Sequence, residues 1–187
     1  HRLTRMAEDL LLLARADAEE MLVRRERIRA DAWVRRVIDL YAPLAEERGL
    51  TLDLEPPPPF WMEADRIRMG ELLGNLLDNA IKFTPAGGHV TVTLASHEDV
   101  VHLVVRDSGC GIAPEHLPHV FDRFYRADPA RSSRQGGTGL GLSICQAIAR
   151  AHGGAIDITS TPGRGTTVSV TIPRAANRDG QSQKRAG

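Results

Sequence analysis

The chain has only two cysteines, Cys110 and Cys145, too few for a disulfide framework or a cysteine-only metal site. One falls in a glycine loop and the other in a helical pattern, so both read as reduced structural thiols. Charge of either sign is not in excess: 24 Lys plus Arg face 24 Asp plus Glu. That balance argues against a nucleic-acid partner and leaves room only for a local basic patch. No apolar run approaches a bilayer span, and no secretory signal is visible. What remains is an ordinary globular composition, 42% apolar and 26% charged, with 187 residues for one sizeable core and an added helical element.

The first residues already follow a helical pattern. Leu3, Met6, Leu10 and Leu13 form a seam, Leu11 and Leu12 widen it, and Arg2, Arg5, Glu8, Asp9 and Arg15 supply the wet side. Such a stripe needs cover from an upstream helix, from a second subunit or from the main domain itself. A polar stretch over residues 24–29 separates it from a second helix over 31–47, whose apolar side is Val34, Val37, Ile38 and Tyr41. Gly49 reads as its stop. Leu50, Leu52 and Leu54 alternate as a half-buried strand, and Pro56 to Pro59 form a stiff connector.

Residues 65–82 predict a helix with two faces. Leu72, Leu73, Leu76, Leu77, Ala80 and Ile81 face a core, whereas Glu71, Asn75, Asp78, Asn79 and Lys82 share the other side. A plain solvent face would also be polar. The set of carboxamides, carboxylates and an ammonium suits a magnesium-phosphate group equally, because magnesium takes hard oxygen ligands and keeps several waters. Two strands, 89–95 and 100–107, then form an antiparallel hairpin. His89, His97 and His102 lack a metal-ligand spacing and read as structural or solvated.

Asp107 follows a strand and leads into Gly109 and Gly111. A carboxylate there can accept from an exocyclic amine while the glycines admit a flat ring; an ordinary glycine turn is the plain alternative. A second cluster contains Gly136, Gly137, Gly139 and Gly141 and opens a helix with Leu140, Ile144 and Ile148. Glycine-rich backbone entering a helix binds phosphate oxygens well. A Walker ending and a dinucleotide fingerprint are both absent. Between the clusters, Phe121 and Phe124 read as packing anchors, Arg126 as a group able to reach phosphate, and the polar run 128–135 as a lid. Strands over 155–160 and 166–172 close the domain.

This combination resembles the catalytic, ATP-binding part of bacterial sensor histidine kinases of the two-component system. Residues 71–83 look like the family's N box, 107–111 its G1 box, 121–125 its F box and 137–142 its G2 box, in the family's order. The resemblance implies an α/β fold, a Bergerat-type two-layer sandwich whose mixed sheet is covered on one face by helices. It implies Mg2+ held by Asn75, adenine bound by Asp107, a base pocket shaped by Gly109, Gly111 and Ile112, and phosphates approached by Lys82 and Arg126. Glu71 takes a base-like position, and Asp78, Asn79, Phe83, Tyr125, Gly137, Thr138, Gly139, Leu140, Gly141 and Leu142 complete the site. Phe83 stands where many relatives carry tyrosine, which removes a hydroxyl contact.

Residues 1–22 resemble the end of the second helix of the dimerisation and phosphoacceptor hairpin, 23–173 the catalytic domain, and 174–187 a flexible tail. The acceptor pattern, histidine followed by an acidic residue and Arg-Pro, does not occur, and His1 does not replace it. The expected activity is transfer of the ATP γ-phosphoryl group to a histidine on an upstream hairpin, for relay to a response regulator. The whole protein is expected to be a homodimer in the inner membrane with this part cytoplasmic. An ATPase of the same wider fold group, a serine kinase acting on a regulatory protein, and a non-enzymatic nucleotide-binding module are the alternatives.

Overall fold

The computed structural model describes residues 2–18, 21–127 and 138–174, with side chains described from residue 6 onward. Helix α1 (Arg2–Asp17) precedes a short strand β1 (Glu26–Arg29), helix α2 (Ala30–Glu47), β2 (Thr51–Leu54) and β3 (Trp61–Ala64). Helix α3 (Arg66–Phe83), the hairpin β4 (His89–His97) and β5 (Val100–Asp107), helix α4 (Gly141–Ala151), β6 (Ala155–Thr161) and β7 (Gly165–Pro173) follow. The polar run 128–135 and Gly136 and Gly137 lie outside the described residues, as does the tail beyond Arg174.

Five strands form one mixed sheet in the order β2-β4-β5-β7-β6, with β2 parallel to β4 and every other pair antiparallel. Alternation places Val90, Val92 and Leu94 beside Val105, Leu103 and Val101 on one buried face. Val168, Val170 and Ile172 extend that face, and the apolar sides of α2, α3 and α4 cover it. The opposite face carries the exposed His102 and Arg106 and the half-buried Thr91 and Thr93. One-sided cover therefore follows directly from period-two patterning.

Helix α3 starts where it does because Asp65 caps it, its Oδ1 accepting from the N–H groups of Ile67 and Arg68 at 3.1 Å each. The Asp65 N–H donates to His152 Nε2 at 3.0 Å, and His152 Nδ1 donates to the Ile148 carbonyl at 2.8 Å. One buried imidazole thus joins the start of α3 to the end of α4 and is fixed as its neutral Nδ1–H tautomer.

One expectation needs correction, and one open alternative is narrowed. The polar stretch 24–29 contains β1, which pairs antiparallel with β3 and sets Ile28 opposite Met62, both 1% exposed. A single apolar residue among charged ones carries too little alternation to announce a strand. The seam of α1 is also divided: Leu12 and Leu13 are buried in the main core beside α4, whereas Leu10 and Leu11 are exposed. The main domain itself covers part of the stripe.

Candidate functional site

All five polar residues on the second face of α3, Glu71, Asn75, Asp78, Asn79 and Lys82, are half-buried. A free solvent face would be exposed, so this one lines a groove. Its opposite wall is the start of α4. A Cβ on Gly141 would sit 3.4 Å from Asn75 Oδ1 and 3.8 Å from Asn79 Nδ2. The glycine keeps open the space in front of both carboxamides, beside the helix N-terminus. Thr138 Oγ1 accepts from the Leu140 N–H at 3.3 Å in the turn leading there. The Leu140 side chain is fully buried in the core, so only its backbone faces outward chemistry; Leu142 is half-buried against the same core.

Asp107 ends β5 with its carboxylate in a half-buried pocket. Burial pushes its acid above the ordinary carboxylate value, opposed by the N–H groups of Gly109 and Thr166. Both donate to Oδ1, at 2.7 and 3.2 Å. Added Cβ atoms explain the glycines: at Gly109 one would lie 2.5 Å from the Phe83 carbonyl oxygen, and at Gly111, where φ is +68°, one would collide with the Thr161 carbonyl. Ile112 is held by its N–H donating to Ser160 Oγ at 2.8 Å. The end of α3, the loop after β5 and the turn between β6 and β7 therefore converge at Asp107.

Lys82 lies with its Nζ 4.9 Å from the Phe83 ring centre. Burial lowers the affinity of its amine for a proton, as do the cationic Arg126 and Arg48, against an opposing pull from Asp78. Arg126 is more unusual: its Nε and Nη2 are buried with no hydrogen-bond partner among the described residues. Nearby, Tyr125 Oη is paired with His116 Nδ1 at 2.8 Å. Phe124 is not the packing anchor expected. It is 49% exposed and has φ of +62°, with its N–H donating to the Gly139 carbonyl at 2.9 Å. Gly139, at φ +75°, has room for no Cβ against the Phe124 backbone, so the aromatic segment is tied to the glycine turn by main chain.

Glu71 stands apart from these groups. Its Oε2 accepts from Arg68 Nη1 at 2.8 Å, and the pair lines a cavity of about 710 Å³ between α1 and α3. Glu8, Asp9 and Arg15 of α1, Tyr41 of α2, and Asn75 share that lining.

Residues 64–176 match the family of histidine kinase-, DNA gyrase B-, and HSP90-like ATPases. The chain belongs to this family. Over 173 residues it is 40% identical to the sensor protein SrrB of Staphylococcus aureus, a match covering 92% of this chain and 30% of SrrB. The chain thus spans less than a third of that relative's length. Full-length ShkA, solved in complex with AMPPNP, superposes with a TM-score of 0.81 at 30% identity, over 94% of this chain and 36% of ShkA. The catalytic domain of histidine kinase ThkA gives 0.70 at 28% identity, over 80% of this chain and 95% of that domain. Within the ATPase family these similarities place the chain with the catalytic domains of bacterial sensor histidine kinases.

In this ATPase domain the structure gathers Asn75, Asn79 and Gly141 at one end of the groove and Asp107, Gly109 and Gly111 at another region, with Lys82 and Arg126 acting on one another. Gly137 lies outside the described residues. Arg68, Arg48, His116 and Tyr41 were not anticipated. Arg68 alone had a usable signal, standing three residues before Glu71 on a helix. No helix among the described residues is long and apolar enough to cross a membrane.

Proposed function

We propose that the domain binds Mg-ATP and donates its γ-phosphoryl group to a histidine carried outside these 187 residues. Arg126 carries this reading. A buried guanidinium with two unpaired nitrogens is costly in a folded protein unless an anion completes it. Lys82, whose proton affinity is depressed by burial and by Arg126, gains from the same anion.

The remaining roles follow from position. Asp107 accepts from the adenine amino group, with Gly109, Gly111 and Ile112 shaping the base pocket and Phe83 and Tyr125 flanking it. The N-terminal N–H groups of α4, with Thr138, Gly139, Leu140, Gly141 and Leu142 around them, face phosphate oxygens; Gly137 belongs to the same motif. Asn75 offers a carboxamide oxygen to magnesium, which suits hard-oxygen chemistry when phosphates and water supply the other ligands. Asp78 and Asn79 line that wall. Magnesium, when bound, neutralises charge developing on the β- and γ-phosphates. The chain's own contribution is to orient the triphosphate.

For the whole protein we infer a homodimer in the inner membrane, with this domain cytoplasmic and a response regulator receiving the phosphoryl group. Residues 1–22 are read as the end of the acceptor hairpin's second helix and 23–173 as the catalytic domain. Water in place of histidine is the second reading, supported by the carboxylate of Glu71 one turn from Asn75. Labelled ATP distinguishes them. The chain alone should acquire no stable label, while a histidine-bearing hairpin polypeptide added to it should become labelled in an acid-labile, base-stable form. Rapid release of labelled phosphate with no such transfer would favour hydrolysis, and absence of nucleotide binding would leave neither.

A further inference from the structure

We infer that His116 is a positioning residue, whose hydrogen bond to Tyr125 aims the Arg126 guanidinium at the phosphates. This rests on the nucleotide reading above and goes beyond it. Arginine reaches an anion through a long flexible stem, so the direction of its fork depends on how firmly its backbone is held. The need is greatest at Arg126, whose buried Nε and Nη2 have no hydrogen-bond partner among the described residues. With no such bond to fix the head, the chain leading to Arg126 has to fix the base.

That chain is tied down on several sides. The Phe124 N–H donates to the Gly139 carbonyl at 2.9 Å, which fastens the segment to the glycine turn before α4. The Tyr125 N–H donates to the Asp122 carbonyl at 3.2 Å and closes a turn within the segment itself. The Tyr125 side chain adds the longest reach, with its Oη 2.8 Å from His116 Nδ1. This bond joins the immediate neighbour of Arg126 to the loop after β5, which carries Gly109 and Gly111. It therefore relates the phosphate-seeking cation to the adenine end of the site.

His116 is itself well held. Its N–H donates to the Ala113 carbonyl at 2.9 Å, and its own carbonyl accepts from the His119 N–H at 3.0 Å. One turn of 3-10 helix, Leu117–His119, follows; Pro118 stiffens it, and it rests against β6. Upstream, the Ile112 N–H is bonded to Ser160. The Tyr125 ring packs near two imidazoles, with centroids 6.1 Å from His116 and 5.3 Å from His119. His116 and Tyr125 are both half-buried, so their bond is partly shielded from competing water. His119 differs, being exposed with its Nδ1 turned to Asp122 at 2.9 Å. His116 touches no substrate atom; it sets where Arg126 points.

The test titrates the 187-residue chain with AMPPNP in magnesium and, separately, with adenosine, and records thermal unfolding of each variant. H116L should weaken AMPPNP binding about tenfold and adenosine binding less than about twofold. A purely structural role would weaken both alike. H116N should recover most of the loss, because its amide places a polar atom near the position of Nδ1. Adding H116L to Y125F should weaken AMPPNP no further than Y125F does, since both remove one bond. Unchanged AMPPNP affinity in H116L, equal loss of both ligands, no recovery in H116N, or losses that multiply in the double variant would each overturn the inference. A wild-type chain that binds AMPPNP no more tightly than adenosine would instead remove the phosphate role of Arg126, and the inference with it.

Discussion

Asp107 and His152 show how two ionisable groups shifted by burial serve different ends. The Asp107 acid is raised by burial, so its ionised form is a cost to the folded state at neutral pH. That cost is largest above the folded value and vanishes below the ordinary carboxylate value of 3.8. D107N should consequently leave thermal stability unchanged or higher at pH 7 while weakening adenine-nucleotide binding by about 10- to 100-fold, read by calorimetric titration. A loss of both stability and binding would mean the residue is structural. His152 runs the other way. Burial, reinforced by Arg25, lowers its proton affinity against the Ile148 carbonyl and Asp65. The neutral ring is the folded form, so its contribution is complete above the ordinary value of 6.5. It declines as pH falls from there to the depressed folded value, because the unfolded chain then binds the extra proton. H152Q should flatten that part of the stability-versus-pH curve measured by denaturant unfolding.

Among the elements, the two that carry the groove were the most legible in sequence. Helix α3 announces itself through leucines at helical spacing on one side and Glu71, Asn75, Asp78, Asn79 and Lys82 on the other. Strands β4, β5 and β7 alternate over eight or nine residues. By contrast β1 has four residues and one buried side chain, and it exists because β3 pairs with it. The aromatic segment was misjudged at Phe124, since hydrophobic character says nothing about a positive φ imposed by a main-chain tie to Gly139. G139A should therefore destabilise by more than the left-handed backbone penalty of about 1–2 kcal/mol, because its Cβ also meets the Phe124 backbone, and should weaken nucleotide binding in parallel. Helix α1 invites a paired comparison. L13A removes a side chain 2% exposed in the core and should cost about 2–5 kcal/mol, whereas L11A, at 56% exposure, should cost little in thermal unfolding.

For the whole molecule, charge neutrality concealed a local arrangement: a balanced chain still concentrates Lys82, Arg126 and Arg48 near one end of α3. Sequence spacing identified the groups that belong together but not their pairing. Helical spacing allows the Arg68–Glu71 pair, but nothing in spacing indicates that Arg126 would bury two nitrogens unpaired among the described residues, because that outcome is set by tertiary packing. On this reading the Arg126 nitrogens that are unpaired among the described residues await the phosphates of a nucleotide. A crystal structure of the chain with Mg-AMPPNP tests it most directly. It should place the adenine amino group on Asp107, the Asn75 oxygen about 2.1 Å from magnesium, and phosphate oxygens on Arg126 Nε and Nη2. A nucleotide bound elsewhere, with Asp107 and Arg126 left as they are now, would contradict it.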